Sequence, residues 1–186
     1  YLMESEKIPF KEAIKLLADE AGIELPNEQV AQAREAEFEP IKRACHEATL
    51  WYQSQLTDVH RAYLAKRGVT ITSQALFQLG FAPGQGLMKH LQSKGVSVED
   101  AKQAGLLIDM DGRPVERFRQ RLMFPICNRR GEVIAFGGRL LTDGEPKYLN
   151  SPETVLFKKS HVLYGLNHAK PTKNQPYIVV EGYLDA

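Results

Sequence analysis

Glu181 and Asp185 stand close together in the stretch "YIVVEGYLDA", residues 177–186. The β-branched run Ile178–Val180 predicts a buried strand that delivers Glu181 rigidly at its tip, and Gly182 permits a tight turn beside a ligand. A carboxylate so placed can share a Mg²⁺ ion and serve phosphoryl or nucleotidyl transfer. Two carboxylates do not complete a two-metal site, so further acidic ligands would come from elsewhere. The same residues equally suit a plain strand-to-helix connection with Asp185 as the helix cap.

Three further stretches carry groups suited to anions. In "RFRQRLMFPI", Arg117, Arg119 and Arg121 alternate, so on a strand they share one side. Three neighbouring guanidinium groups repel unless an anion crosses them, and Arg suits bidentate contact with phosphate oxygens; a charge-protected strand edge has the same pattern. In "AFGGR", paired Gly137 and Gly138 mark either a plain bulge or a close approach, through which Arg139 reaches nucleic acid. In "PKYLNSPETVLFKK", Lys147, Tyr148, Asn150, Lys158 and Lys159 combine cations, a stacking ring and hydrogen-bonding groups. That mixture suits a single nucleic-acid strand, and it also suits a polar loop.

The elements that must position these groups fall into two halves. "IPFKEAIKLLADEAG" predicts a helix with Phe10, Ile14, Leu17, Ala18 and Ala21 on one face and Gly22 after its end. Asn27 predicts the cap of a second helix that Pro40 should kink or split. Shorter helices follow: one capped by Asp58 and ending at Gly68, one capped by Thr72 and ending at Gly80, then "LMKHLQSKG", then one with Ser97 and Asp100 at capping-box spacing. From residue 106 the pattern changes. Asp111-Gly112 signals a hairpin, and residues 106–150 predict an antiparallel meander. "PTKNQP" predicts a loop and the best domain boundary, before the strand "YIVV".

Composition bounds the rest. The 186 residues, 43% hydrophobic and 25% charged, fit an ordinary globular chain of one substantial domain with a piece of another. No apolar run approaches a membrane span, and no membrane partner is expected. The chain begins at Tyr1 without a basic-then-apolar leader, so the expectation is a piece cut at both ends, with no secretory signal. Cys45 and Cys127 read as isolated core thiols rather than zinc ligands. The net charge of +1 conceals an asymmetry: residues 1–112 carry 12 Lys+Arg against 16 Asp+Glu, and residues 113–173 carry 12 against 5. A basic middle before a carboxylate tip fits a polyanion beside a metal site, or a solvated basic face.

Taken in order, "RFRQRLMFPI", "GEVIAFGGR", "PKYLNSPET", "LYGL" and "VVEGYLD" closely resemble bacterial replicative DNA primase of the DnaG type, over nearly the whole chain. The resemblance implies an α+β fold: a helical amino-terminal half, an antiparallel β meander, and the first strand of a truncated Toprim α/β domain. Residues 1–175 would be the amino-terminal subdomain of the catalytic core and 176–186 the beginning of Toprim. Leu184 stands where the family motif has Met. Glu181 and Asp185 would be catalytic, with Glu181 holding Mg²⁺ or Mn²⁺ and Tyr183 lining the same site. Arg67, Arg117, Arg119, Arg121, Arg139, Lys147, Tyr148, Asn150 and Lys159 would line the groove for template and nucleotide. Arg117 and Arg121 are equally placed to be structural partners of nearby acids.

The implied parent is a cytoplasmic nucleotidyltransferase that makes RNA primers on single-stranded DNA from ribonucleoside triphosphates. Its zinc would sit in a domain before Tyr1, and a replicative helicase would bind a domain further on. This piece alone is expected to be inactive. Two alternatives stand beside that reading: a non-catalytic module that binds single-stranded DNA or nucleotides, and another Toprim enzyme, either topoisomerase or nuclease.

Overall fold

The computed structural model describes residues 2–23, 28–169 and 176–185, without the side chains of 28–34. Asn27 and most of "PTKNQP" lie outside the described residues. The chain divides into two compact units, Tyr1–Glu37 and Phe38–Ala186.

The first unit holds α1 (Leu2–Ser5), α2 (Phe10–Glu20) and the start of α3 (Glu28–Ser54). α2 begins after Pro9, whose fixed φ suits a helix start, and ends before Gly22 at φ 64°. Of its expected buried face only Ala18 is buried. Ala13 and Ala18 are buried, while Phe10 is 62% exposed and Ile14 and Leu17 are exposed too. Helical periodicity marks an apolar stripe but does not supply the surface that covers it. α3 runs through Pro40 without splitting.

The second unit is built on the rest of α3. Ile41, Ala44, Cys45, Ala48 and Tyr52 form its buried stripe, at helical spacing. α4 (Asp58–Lys66) and α5 (Ile71–Leu76) follow. Their caps sit earlier than expected. Thr57 caps α4, with its backbone N–H donating to His60 Nδ1 at 3.1 Å. Thr70 caps α5, its hydroxyl accepting from the Ser73 N–H at 3.1 Å. Thr70 thus satisfies an open N–H of its first turn, while Thr57 is tied to its helix through the His60 imidazole.

Gly80, expected to end α5, instead opens a strand, β1 (Gly80–Ala82). A Cβ there would lie 2.5 Å from the Tyr52 carbonyl carbon, so glycine lets β1 meet the α3 backbone. α6 (Leu87–Ser93) and α7 (Val98–Gln103) come next, and Ser97 caps α7 by accepting from the Asp100 N–H, as predicted.

The region predicted as one meander is two sheets. β2 (Leu107–Met110) and β3 (Arg113–Glu116) form a separate hairpin about Asp111-Gly112, both at positive φ. β4 (Arg121–Cys127), β5 (Val133–Leu140) and β6 (Tyr148–Asn150) are antiparallel neighbours, with β1 completing the order β1-β4-β5-β6. β4 is buried along its whole length. Met123 and Cys127 face the α3 core, while Leu122 and Phe124 join Leu56, Leu64 and Phe81 on the other side. That double burial explains its unbroken apolar run.

Cys45 and Cys127 are buried free thiols, as expected. Burial raises the Cys45 thiol to about 12. Among the described residues no helix is long and apolar enough to cross a membrane. Residues 176–180 pair with no described strand, and Ile178 is 87% exposed. The predicted buried strand is therefore an uncovered, unpaired segment, because a strand needs neighbours to bury it and none of the described strands pairs with it.

Candidate functional site

Phe124, Gly137 and Asn150 are consecutive cross-strand partners on β4, β5 and β6. Tyr183 lies along that row. Its ring stacks on Phe124 at 5.1 Å between centroids, and its hydroxyl donates to Asn150 Oδ1 at 2.8 Å. Between them it covers Gly137, where a Cβ would come within 2.5 Å of the ring. Burial, and then the neighbouring Tyr148, raise the Tyr183 hydroxyl above its usual range, which keeps it a donor.

The paired glycines thus admit other parts of this chain rather than nucleic acid. A Cβ at Gly138 would meet Phe118 at 2.9 Å and Arg121 at 3.0 Å. Neither glycine is a bulge, since the β4–β5 register shifts only between Ile126 and Cys127.

Docking of Tyr183 fixes the carboxylate turn. The Asp185 N–H donates to the Gly182 carbonyl at 3.1 Å, and Glu181 and Asp185 are both exposed. They border an open cleft of about 1190 Å³, shared with Tyr148, Asn150 and Lys159. Ile126, Phe157, Val162 and Tyr164 form its apolar side. Lys159 starts a 3₁₀ turn (Lys159–His161), and its N–H donates to Glu153 Oε1 at 3.3 Å.

Arg139 joins the same edge. It pairs with Tyr148 across β5 and β6, bonds the Tyr148 hydroxyl, and lies 5.2 Å from that ring's centroid. Tyr63 of α4 takes Arg139 at 5.8 Å and Arg67 at 5.7 Å. Tyr63 was not among the expected site residues, although its spacing of four from Arg67 puts both on one helix face. Lys147 is exposed beside Tyr148 but does not border the cleft.

The arginine triplet departs from expectation. β3 ends at Glu116 and β4 starts at Arg121, so residues 117–120 are a bend, with Gln120 at φ 53°. Arg117, Arg119 and Arg121 therefore do not line one strand face. A positive-φ residue between two strands breaks the period on which alternation depends.

The hydrogen-bond partners of all three are carbonyls, and Arg119 also lies near the Glu116 carboxylate. Arg117 Nη2 donates to the Asn150 carbonyl at 3.0 Å, and Arg119 Nε to the Glu116 carbonyl at 2.9 Å. Arg121 is buried and donates to the carbonyls of Gly138, Pro146 and Lys147 at 3.3, 2.8 and 3.3 Å. Burial lowers the pKa of Arg117 and Arg121 below the ordinary arginine range. Arg119 stays exposed.

The turn offers a divalent ion two hard oxygen donors, which suits Mg²⁺ or Mn²⁺ in kind. Among the described residues no group of three or more His, Cys, Asp or Glu side chains gathers to hold a metal. Glu181 and Asp185 are thus an incomplete donor set.

Comparison with known proteins places this geometry in context. The family described as "DNA primase catalytic core, N-terminal domain" matches residues 48–170. The DNA primase of Deinococcus radiodurans is 38% identical over 196 aligned residues, covering 100% of this chain and 33% of its own length. The chain thus spans about a third of that curated relative. A solved structure titled "Structure of the DnaG primase catalytic domain bound to ssDNA" superposes with a TM-score of 0.72 at 38% identity, covering 81% of this chain and 52% of that one. The Aquifex aeolicus primase, solved with its zinc-binding and RNA polymerase domains, gives 0.66 at 30% identity, covering 89% and 41%.

Proposed function

The chain belongs to the bacterial DNA primase family, within the catalytic core, and on that premise we propose that it forms one wall of a groove in which RNA primers are made on single-stranded DNA. The parent enzyme is a nucleotidyltransferase that joins ribonucleoside triphosphates. Residues 1–175 form the amino-terminal subdomain of its core, and residues 176–186 open the Toprim subdomain.

The observation that carries this reading is the seat of Tyr183 on the Phe124–Gly137–Asn150 row. It brings the turn bearing Glu181 and Asp185 to the edge that carries Arg139 and Tyr148, facing Lys159 across one cleft. A carboxylate turn beside cations and an aromatic face is what a polyphosphate and a stacked base require. Arg139, Arg67, Lys147 and Lys159 neutralise phosphate, and Tyr148 offers its ring to a base. Arg117 and Arg121 brace Asn150 and the turn before β6, while Arg119, exposed beyond its Nε bond to the Glu116 carbonyl, reaches backbone phosphate.

Glu181 is the residue through which this chain would contribute to a site for Mg²⁺ or Mn²⁺, with Asp185 beside it. Such an ion would polarise a phosphoryl oxygen. The remaining ligands, a zinc domain and a helicase-binding region belong to the rest of the parent protein, which works at the replication fork in the cytoplasm.

Taken alone, the chain binds nucleic acid or nucleotides without catalysis, since the described carboxylates do not form a complete donor set. Incorporation of labelled ribonucleotide on a single-stranded template separates the cases. The complete primase should synthesise primers, Glu181→Gln in it should lose at least a hundredfold, and this chain alone should be silent. Synthesis by the chain alone, or a fully active Glu181→Gln enzyme, would overturn the assignment.

A further inference from the structure

Arg139 is only 8% exposed, yet it takes part in none of the described ion pairs, and its Nε has no hydrogen-bond partner. A guanidinium does not shed its proton in a protein, so a buried one needs compensation. Two aromatic rings provide part of it. Tyr148 lies 5.2 Å from the Arg139 guanidinium carbon, and Tyr63 lies 5.8 Å from it. Both are within the range at which a ring quadrupole attracts a cation.

Tyr63 also takes a second guanidinium, that of Arg67, at 5.7 Å. Two like charges on one ring repel, and no acid among the described residues pairs with either. Two cations held on one ring without an acid are suited to phosphate. Tyr63 itself is anchored, since it packs against the core cluster of Leu64, Phe81, Leu122 and Phe124. That cluster also receives Tyr183. One body of packed side chains thus sets both the arginine pair and the carboxylate turn.

We infer that Tyr63 is a positioning residue, whose ring holds both Arg67 and Arg139 in place for contact with phosphate. This rests on the groove proposed above. The phosphate belongs either to single-stranded DNA or to a nucleoside triphosphate, and the geometry is common to both. The ring does the positioning, so Tyr63→Phe retains it, while Tyr63→Leu stays apolar against the cluster and removes it.

The test uses the complete primase in four forms: parent, Tyr63→Phe, Tyr63→Leu and Arg139→Ala. Each is titrated separately with a fluorescein-labelled single-stranded oligonucleotide and with ATP, over a range of salt, after a thermal melt. Tyr63→Leu should weaken at least one probe about tenfold and flatten its salt dependence, with Tyr63→Phe within about twofold of the parent. The probe affected identifies the phosphate. If Arg139→Ala weakens binding but Tyr63→Leu does not, the inference fails. If Tyr63→Phe loses as much as Tyr63→Leu, the ring account fails. If Arg139→Ala binds both probes like the parent, the groove itself is misassigned.

Discussion

The hydroxyl of Tyr183 donates a 2.8 Å hydrogen bond to Oδ1 of Asn150, while the Asn150 carbonyl accepts from Arg117 at 3.0 Å. Asn150 is therefore held from both ends, and it passes that rigidity to the turn that carries Glu181. Tyr183→Phe keeps the ring on Phe124 and removes the hydrogen bond. It should cost about 1 kcal/mol of stability. In a double-mutant cycle with Asn150→Ala, the two losses should not add; full additivity would mean the bond contributes nothing.

Gly137 leaves no room for a side chain beneath Tyr183. Gly137→Ala places a Cβ 2.5 Å from the ring, and such overpacking costs about 1–3 kcal/mol. The same substitution made in a Tyr183→Ala background should be nearly neutral. Denaturant melts of the four proteins measure the coupling, and an equal loss in both backgrounds would place the clash elsewhere.

Arg121 and Lys159 should respond oppositely to substitution. Arg121 is buried and donates to three carbonyls, so Arg121→Lys should lower the melting temperature and leave the salt slope of single-strand binding unchanged. Lys159 borders the cleft, so Lys159→Ala should leave the melt unchanged and reduce that slope by about 1. A reversed pattern would exchange their roles.

Lys147 is exposed beside Tyr148 rather than in the cleft wall. Lys147→Glu in the complete enzyme should still weaken single-strand binding and suppress primer synthesis, because reversal of a charge next to the stacking ring repels phosphate. Unchanged binding and synthesis would remove Lys147 from the groove.

Glu116 gives the fold a pH dependence. Its carboxylate accepts from the Met88 N–H at 3.3 Å at the start of α6, yet burial raises its pKa above the ordinary 4.5. The folded state therefore binds this proton more tightly than the unfolded chain does. The associated stability is fully present below 4.5 and is lost as pH rises through the folded value. Glu116→Gln keeps an acceptor and removes the titration. Its melting temperature relative to the parent should rise with pH across that window. A constant offset would show that Glu116 titrates alike in both states.

Much of the architecture was legible because it rests on local chemistry. The Ser97 cap, the Asp111-Gly112 hairpin, the core thiols and the apolar run of β4 each follow from rules that act within a few residues. Errors arose where a choice depended on something distant. The caps are a local exception: Thr57 and Thr70, one and two positions before Asp58 and Thr72, take the cap positions. β1 went unrecognised because three residues carry no period, and only pairing with β4 makes them a strand. The arginine alternation failed at Gln120, where positive φ interrupts the strand.

The sequence alone determined which residue types were available: a carboxylate pair flanking a glycine, paired glycines before an arginine, and a Lys-Tyr-x-Asn run, in an order shared with bacterial primases. Only the tertiary structure decided what they do to one another. Gly137 is small because Tyr183 occupies its space, and Arg121 is charged but spent on carbonyls. Tyr63, silent in the sequence, stands between two arginines. Cross-strand register and chain crossings bring together residues dozens of positions apart, and no local pattern encodes which of them will meet.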